Sequence, residues 1–273
     1  LEKAMKIRYL GTAAAEGWPG MFCLCDLCRR ARELGGKDIR TRSQAIVDDE
    51  LLLDFPPDSY LHMQRYGLDL PRMGNVLITH SHYDHFAYRE LEYKNAMYTR
   101  GDVRALNVYG NDEVCRRLGT LPSEEETHLA CHELKEFEPT AIGDYTVTAL
   151  LALHDRREKC FIYMIEREGK RLLYAHDTGF FPSQTCDYIA HRRFDFMSLD
   201  CTMLALPDGN NHMGIRDMLE MRGRLVGMGC ADGDTRIAVS HFSHTGKMLH
   251  GDIEKALAPE GILVAYDGMT VTF

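Results

Sequence analysis

Asn75-Val76-Leu77-Ile78-Thr79-His80-Ser81-His82-Tyr83-Asp84-His85 passes from a short apolar, β-branched run straight into four strong metal ligands within six residues. The run Val76-Leu77-Ile78 reads as a buried strand, and the ligands stand at its exit. His80 and His82 can converge on one cation. Asp84 and His85 emerge one turn later and face a neighbouring position. Imidazole and carboxylate suit Zn²⁺, Mn²⁺ or Fe²⁺, and two ligand sets side by side suit a dinuclear centre. A polar loop whose histidines cap a helix would explain a lone histidine better than this string.

Outward from this stretch, short apolar runs bounded by turn residues dominate both halves. Strands are expected at Ile7–Leu10, Ser43–Val47, Glu50–Asp54, Asn75–Thr79, Ala105–Tyr109, Tyr145–Leu153, Phe161–Glu166, Arg171–Ala175, Phe196–Asp200 and Ile237–Ser240. Ser43–Val47 and Glu50–Asp54 form a hairpin turning near Asp48-Asp49, and Ile262–Phe273 is broken by a turn at Asp267-Gly268. Helical patterns cover Cys25–Leu34, Pro57–Tyr66, Tyr88–Ala96, Asn111–Leu118, Ile215–Met221 and Lys247–Leu257. Strands outnumber helices, and helices punctuate rather than alternate. An α/β (α+β) chain with two packed sheets and outer helices is therefore expected, not a doubly wound parallel sheet. Residues 1–273 are expected to form one domain, with Leu1–Ala4 ahead of Met5 an expression remnant.

The 273 residues are 45% hydrophobic and 27% charged, which excludes disordered, collagen-like and coiled-coil classes. No stretch approaches ~20 consecutive apolar residues and the N-terminus lacks a signal peptide, so a cytoplasmic protein with no membrane partner is expected. Lys and Arg total 32 against 41 Asp and Glu, a net charge of −9. That balance argues against a large nucleic-acid partner, yet a small anionic substrate stays compatible because metal charge overrides it locally. Nine cysteines without a secretory signal read as thiols or metal ligands rather than a disulfide framework. Whether the chain forms a homodimer is left open.

His80-x-His82-x-Asp84-His85 after a strand resembles the signature of the metallo-β-lactamase superfamily. The resemblance implies a four-layer αββα sandwich and three further ligands at strand ends: His154, Asp177 and His241. It assigns His80, His82 and His154 to one metal, Asp84, His85 and His241 to the other, and Asp177 to bridge them. Family members often carry Gly where this chain has Tyr88, which bears on the following loop rather than on ligation. His176, beside Asp177, reads either as a residue behind the ligands or as merely buried. Asp54, ending Leu51-Leu52-Leu53, reads as a carboxylate orienting a ligand histidine or as a helix N-cap ahead of Pro56-Pro57.

Cys23-x-Cys25-x₂-Cys28 places three thiols where tetrahedral zinc would suit them, with buried thiols as the other reading. His244, in His241-Phe242-Ser243-His244, is the candidate fourth ligand of this structural zinc. The combination resembles the branch containing the phosphoribosyl 1,2-cyclic phosphate phosphodiesterase, as do the terminal hairpin at Ala265-Tyr266-Asp267-Gly268-Met269 and Asn211-His212. By that resemblance His212 is the catalytic proton donor; read alone, it is a solvated histidine in the loop Asp208-Gly209-Asn210-Asn211. Cys115, Cys131, Cys160, Cys186, Cys201 and Cys230 read as free thiols. Gly11-Thr12 and Phe180-Phe181-Pro182 are expected to line the entrance, although plain packing explains Phe180-Phe181 equally well.

The resemblance implies a metal-dependent hydrolase holding two divalent cations (Zn or Mn, with Fe admitted). It would act on a small, cyclic sugar or nucleotide phosphate diester through a metal-bridging hydroxide. The rival readings are a thioester or lactam hydrolase on the same metal pair and a non-catalytic metal-binding scaffold.

Overall fold

Alternation of apolar residues in β1 (Lys6–Gly11) buries Ile7 and Tyr9 between two sheets and pairs the strand with β2 (Gln44–Val47). The computed structural model describes residues 4–207 and 209–273, so Leu1–Lys3 and Asp208 lie outside the described residues. β2 turns into β3 (Leu51–Leu53) through Asp48-Asp49, both at positive φ as a tight two-residue turn demands. β4 (Asn75–Leu77), β5 (Leu106–Gly110) and β6 (Leu129–Glu133) continue the sheet in parallel with β3.

The second sheet begins as an antiparallel meander of β7 (Pro139–Ile142), β8 (Tyr145–Leu151), β9 (Phe161–Arg167) and β10 (Lys170–Ala175). β11 (Phe196–Asp200), β12 (Arg236–Ser240) and β13 (Leu263–Val264) then add on in parallel. β14 (Thr270–Thr272) crosses back to pair with β1. The expected terminal hairpin is therefore absent as such, because the two halves of 262–273 are edge strands of different sheets. Asp267 at the crossing accepts hydrogen bonds from Thr12 and Thr41, which ties it into the first sheet's side.

Of the helices, α1 (Asp26–Leu34), α5 (Ser183–Ile189), α6 (Ile215–Gly227) and α7 (His250–Leu257) pack on the outer face of the second sheet through Ala31, Ile189, Met218, Leu225 and Ile253. α2 (Ser59–Tyr66) and α3 (Asp112–Leu118) cover the first through Met63, Val114 and Leu118. α4 (Glu124–Thr127) is one turn leading into β6. The architecture is the αββα sandwich. The segment expected as a helix from Tyr88 is a 3₁₀ stretch, Tyr88–Lys94.

Cys115 and Cys131 form a disulfide, correcting their reading as free thiols. α3 leans on β6 and brings their Cα atoms to 5.5 Å, a tertiary contact that cysteine spacing does not reveal. Among the described residues no helix is long and apolar enough to cross a membrane.

β3, β4, β8, β10, β11 and β12 all run toward one pole, so the residues after their last positions gather there. Three of these, Asp54, Asp177 and His241, have φ of 65°, 57° and 65°. Non-glycine residues in this region cost about 1–3 kcal/mol each and concentrate at functional sites.

Candidate metal centre

Asp177 follows β10 and is 4% exposed. Its Oδ2 lies 3.2 Å from His80 Nε2, 3.2 Å from His85 Nε2, 3.3 Å from His154 Nε2 and 3.8 Å from His241 Nε2. One carboxylate oxygen thus faces imidazoles of both expected ligand sets. His80, His82, His154 and Asp177 form one group of donor atoms within 4.8 Å of one another, and Asp84, His85, Asp177 and His241 form a second.

The hydrogen bonds behind these rings fix their orientation and favour a proton on the outward nitrogen. His85 Nδ1 meets Asp54 Oδ2 at 2.8 Å, and His82 Nε2 meets Asp155 Oδ2 at 2.9 Å. His241 Nδ1 meets Thr202 Oγ1 at 2.8 Å, the Thr202 hydroxyl donating onward to Asp200. His80 Nδ1 meets Thr79 Oγ1 at 3.0 Å, the Thr79 hydroxyl donating to Asp54. His154 Nδ1 faces the Asn211 carbonyl at 3.4 Å. Every imidazole of the cluster turns one nitrogen outward onto an acceptor and the other inward, where the neutral ring would present a lone pair to a cation.

Those inward nitrogens crowd. His85 Nε2 and His241 Nε2 are 3.2 Å apart, and His154 Nε2 and His82 Nδ1 are 3.3 Å apart. His80 Nε2, Asp177 Oδ1 and His212 Nδ1 are buried without a well-aligned hydrogen bond among the described residues, the last two facing each other at 3.0 Å. Lone pairs gathered this closely with orphaned buried polar atoms are what cations would satisfy, so the residues fit two divalent ions.

Burial alone would raise the Asp177 carboxyl, but the imidazoles of His241, His212, His80 and His85 hold it well below the usual range. Burial would lower His85, yet Asp54 and Asp84 raise it well above an ordinary histidine. His80, His154 and His241 are all lowered, chiefly by burial.

His212 Nδ1 lies 3.0 Å from Asp177 Oδ1 and 3.7 Å from Asp200 Oδ2. Burial opposes its protonation, but the two carboxylates outweigh burial and push it up to about 11. Asp200 had no place in the sequence reading beyond ending a strand. It is fully buried and accepts the N–H groups of Asp177 at 3.0 Å, Thr202 at 3.1 Å and Met213 at 2.8 Å, and the Thr202 hydroxyl at 2.8 Å. Its signal was a carboxylate at a strand's C-terminal end, the feature Asp54 also shows.

His176 does not touch a ligand through a hydrogen bond. Its Nε2 meets Ser198 Oγ at 2.7 Å and its Nδ1 meets Ser43 Oγ at 3.3 Å, and burial pushes it down to about 3. Of its two readings, the buried one describes it. Asp54 does not cap α2, whose N-cap is Asp58. Thr12 and Phe181 are buried rather than lining an entrance. Gly179 is where a side chain could not fit, since a Cβ there would stand 2.1 Å from the Asn210 carbonyl. This close approach draws the loop carrying His212 onto the end of β10.

Cys23, Cys25, Cys28 and His244 form a separate group within 4.8 Å. Cys25 Sγ and Cys23 Sγ stand 3.7 and 3.8 Å from His244 Nδ1, and Gly20 donates to Cys28 Sγ at 3.3 Å. The Cys28 N–H lowers the Cys25 thiol to about 7, whereas burial pushes Cys28 up to about 12. Three sulfurs and one imidazole in this spacing fit tetrahedral zinc.

The chain is 24% identical over 319 residues to coenzyme PQQ synthesis protein B of Methylococcus capsulatus, covering 98% of this chain and 99% of that protein. A diphosphatase from the PhnP family superposes with a TM-score of 0.78 at 20% identity, covering 99% of this chain and 98% of that one. Zn²⁺-bound PqqB from Methylobacterium extorquens superposes with a TM-score of 0.70 at 21% identity, covering 97% and 99%. At these identities the structural likenesses are of fold. The model of the beta-lactamase superfamily domain matches residues 51–227, well over half the chain, from β3 through the end of α6. The chain belongs to this family, whose fold carries metal-dependent hydrolases.

Proposed function

We propose that this protein is a dinuclear metal-dependent phosphodiesterase for a small anionic sugar or nucleotide phosphate diester, cyclic or open. The observation that carries the reading is His212, held at 3.0 Å from Asp177 on the rim of a double ligand cluster. A diester with an alkoxide leaving group needs a proton donor, whereas a thioester hydrolase of this fold expels a thiolate that leaves without one.

His80, His82 and His154 would hold one cation, Asp84, His85 and His241 the other, with Asp177 shared between them. Two such ions would supply nucleophilic water acidified to a pKa of roughly 7 and would neutralise phosphoryl charge. Asp54, Asp155 and Thr202 fix the rings of His85, His82 and His241, so the lone pairs are aimed before any ion arrives. Asp200 and Asp177 engage Nδ1 of His212, leaving Nε2 as the nitrogen to pass a proton to the departing oxygen. The branch resemblance and the likeness in fold to a PhnP-family diphosphatase support phosphate chemistry. The thiolate cluster would hold one zinc, joining the loop before α1 to the segment after β12.

The test is a substrate panel on protein loaded with Zn²⁺ or Mn²⁺: a bis-aryl phosphodiester, a cyclic sugar phosphate diester, a thioester and a β-lactam. Hydrolysis of the diesters alone is expected. Turnover of the thioester or lactam without the diesters would reassign the site.

A further inference from the structure

The first cation's ligands come from both sheets. His80 and His82 follow β4 in one, and His154 follows β8 in the other. Their mutual spacing therefore depends on whatever ties the two loops together. Glu158, in the turn between β8 and β9 that also carries His154 and Asp155, reaches across to Ser81, the residue between the two histidines. Its Oε2 accepts the Ser81 N–H at 3.0 Å and its Oε1 accepts the Ser81 hydroxyl at 2.7 Å.

α3 braces the same contact from outside. Asn111 caps α3 by accepting the Val114 N–H at 2.8 Å, while its amide donates to Glu158 Oε2 at 2.8 Å and to the Lys159 carbonyl at 2.7 Å. Arg117 donates to the Ser81 carbonyl at 2.6 Å. Ser81 is thus held at its N–H, its hydroxyl and its carbonyl, and it is fully buried.

His82, Asp155 and Glu158 are close enough to suggest a third ion. Their bonding argues against one. Glu158 already accepts three donors, and Asp155 accepts from His82 and from Arg157.

We propose that Glu158 is a positioning residue for the metal centre, setting the span between the His80/His82 loop and His154 and so governing the affinity of one of its two ions. The proposal rests on the metal-centre reading above.

Cobalt(II) titration of the metal-stripped full chain tests both, because visible ligand-field bands follow the histidine sites and near-ultraviolet thiolate bands follow the cysteine site. Wild type should fill two histidine/aspartate steps. Glu158→Ala should weaken one step by about 10–100-fold and leave the other in place. Glu158→Gln should recover much of the loss, since its carbonyl still accepts from Ser81. Asn111→Ser keeps a helix cap but drops the amide donor, and should move the same step by less. Thr202→Val, acting behind His241, should move the other step. A Glu158→Ala titration that superimposes on wild type overturns the proposal, as does equal weakening of both steps with a fall in melting temperature. Should Glu158→Ala fail to fold, unchanged titrations of Glu158→Gln and Asn111→Ser together overturn it. Wild type that takes up no cobalt outside the thiolates would instead remove the metal-centre reading itself.

Discussion

His212 and Asp200 show how much a single side chain can hide. His212→Ala should lower turnover of an alkyl or sugar diester by ~10²–10⁴-fold with metal content unchanged, and lower it less on an aryl diester that leaves without a proton. Equal losses on both substrates would make His212 a phosphate-binding group; steady-state rates and metal analysis on the same preparation decide. Asp200→Asn turns one buried acceptor oxygen into a donor facing N–H or hydroxyl donors, so a loss of about 1–3 kcal/mol is expected by denaturant unfolding. His80, His82, Asp84 and His85 were readable because they fall in one short string, and His154, Asp177 and His241 because the family resemblance called for ligands at strand ends and each ends an apolar run. Asp200 ends one too, but its function lies in four contacts made across the fold. Asp155 and Glu158 sit in a polar turn whose sequence looks like ordinary surface.

At the scale of elements, strands with one buried face or two declared themselves, and two of the four edge strands, β6 and β7, did not. β6 is Leu129-Ala130-Cys131-His132-Glu133, with only Leu129 buried, and β7 opens on Pro139 at the other sheet's edge. Neither has the apolar density that marks a central strand, because an edge strand packs against less. α5 was hidden for a related reason, with only Thr185 and Ile189 of its seven residues buried. The disulfide between α3 and β6 follows from that edge packing. Closing 16 residues of separation should be worth about 3 kcal/mol, so Cys115→Ser combined with Cys131→Ser should lower the unfolding free energy by that amount. A chemical denaturation midpoint identical to wild type would show the crosslink to be thermodynamically idle.

For the whole molecule, a buried polar row behind the first sheet makes stability depend on pH. His62 sits between Gln44 Oε1 at 2.6 Å and Thr41 Oγ1 at 2.7 Å, and burial pushes it down to about 4. Between about 6.5 and 4 the unfolded chain takes up a proton there that the folded chain refuses, so stability falls as pH falls, by about 1.4 kcal/mol per unit from this group. His62→Gln should flatten that slope in unfolding curves at pH 7, 6 and 5. Chelation should also cost stability at neutral pH: an ion at a thousand times its dissociation constant contributes about 4 kcal/mol to the folded state. Stripping zinc from the thiolate site should free the loop before α1 from His244, and calorimetry with and without chelator reads the difference.

β14 lies against β1, and the backbone of Met5 exchanges hydrogen bonds with that of Phe273 at 3.1 and 2.9 Å. Met5 and Phe273 are therefore zipped together at the pole away from the imidazoles. A short peptide tether could join them, and a chain opened in the exposed 119–120 turn after α3 would yield a circular permutant with its mouth untouched. By the same geometry, anchoring the protein to a bead through a linker placed at Met5 or Phe273 should present every copy mouth outward.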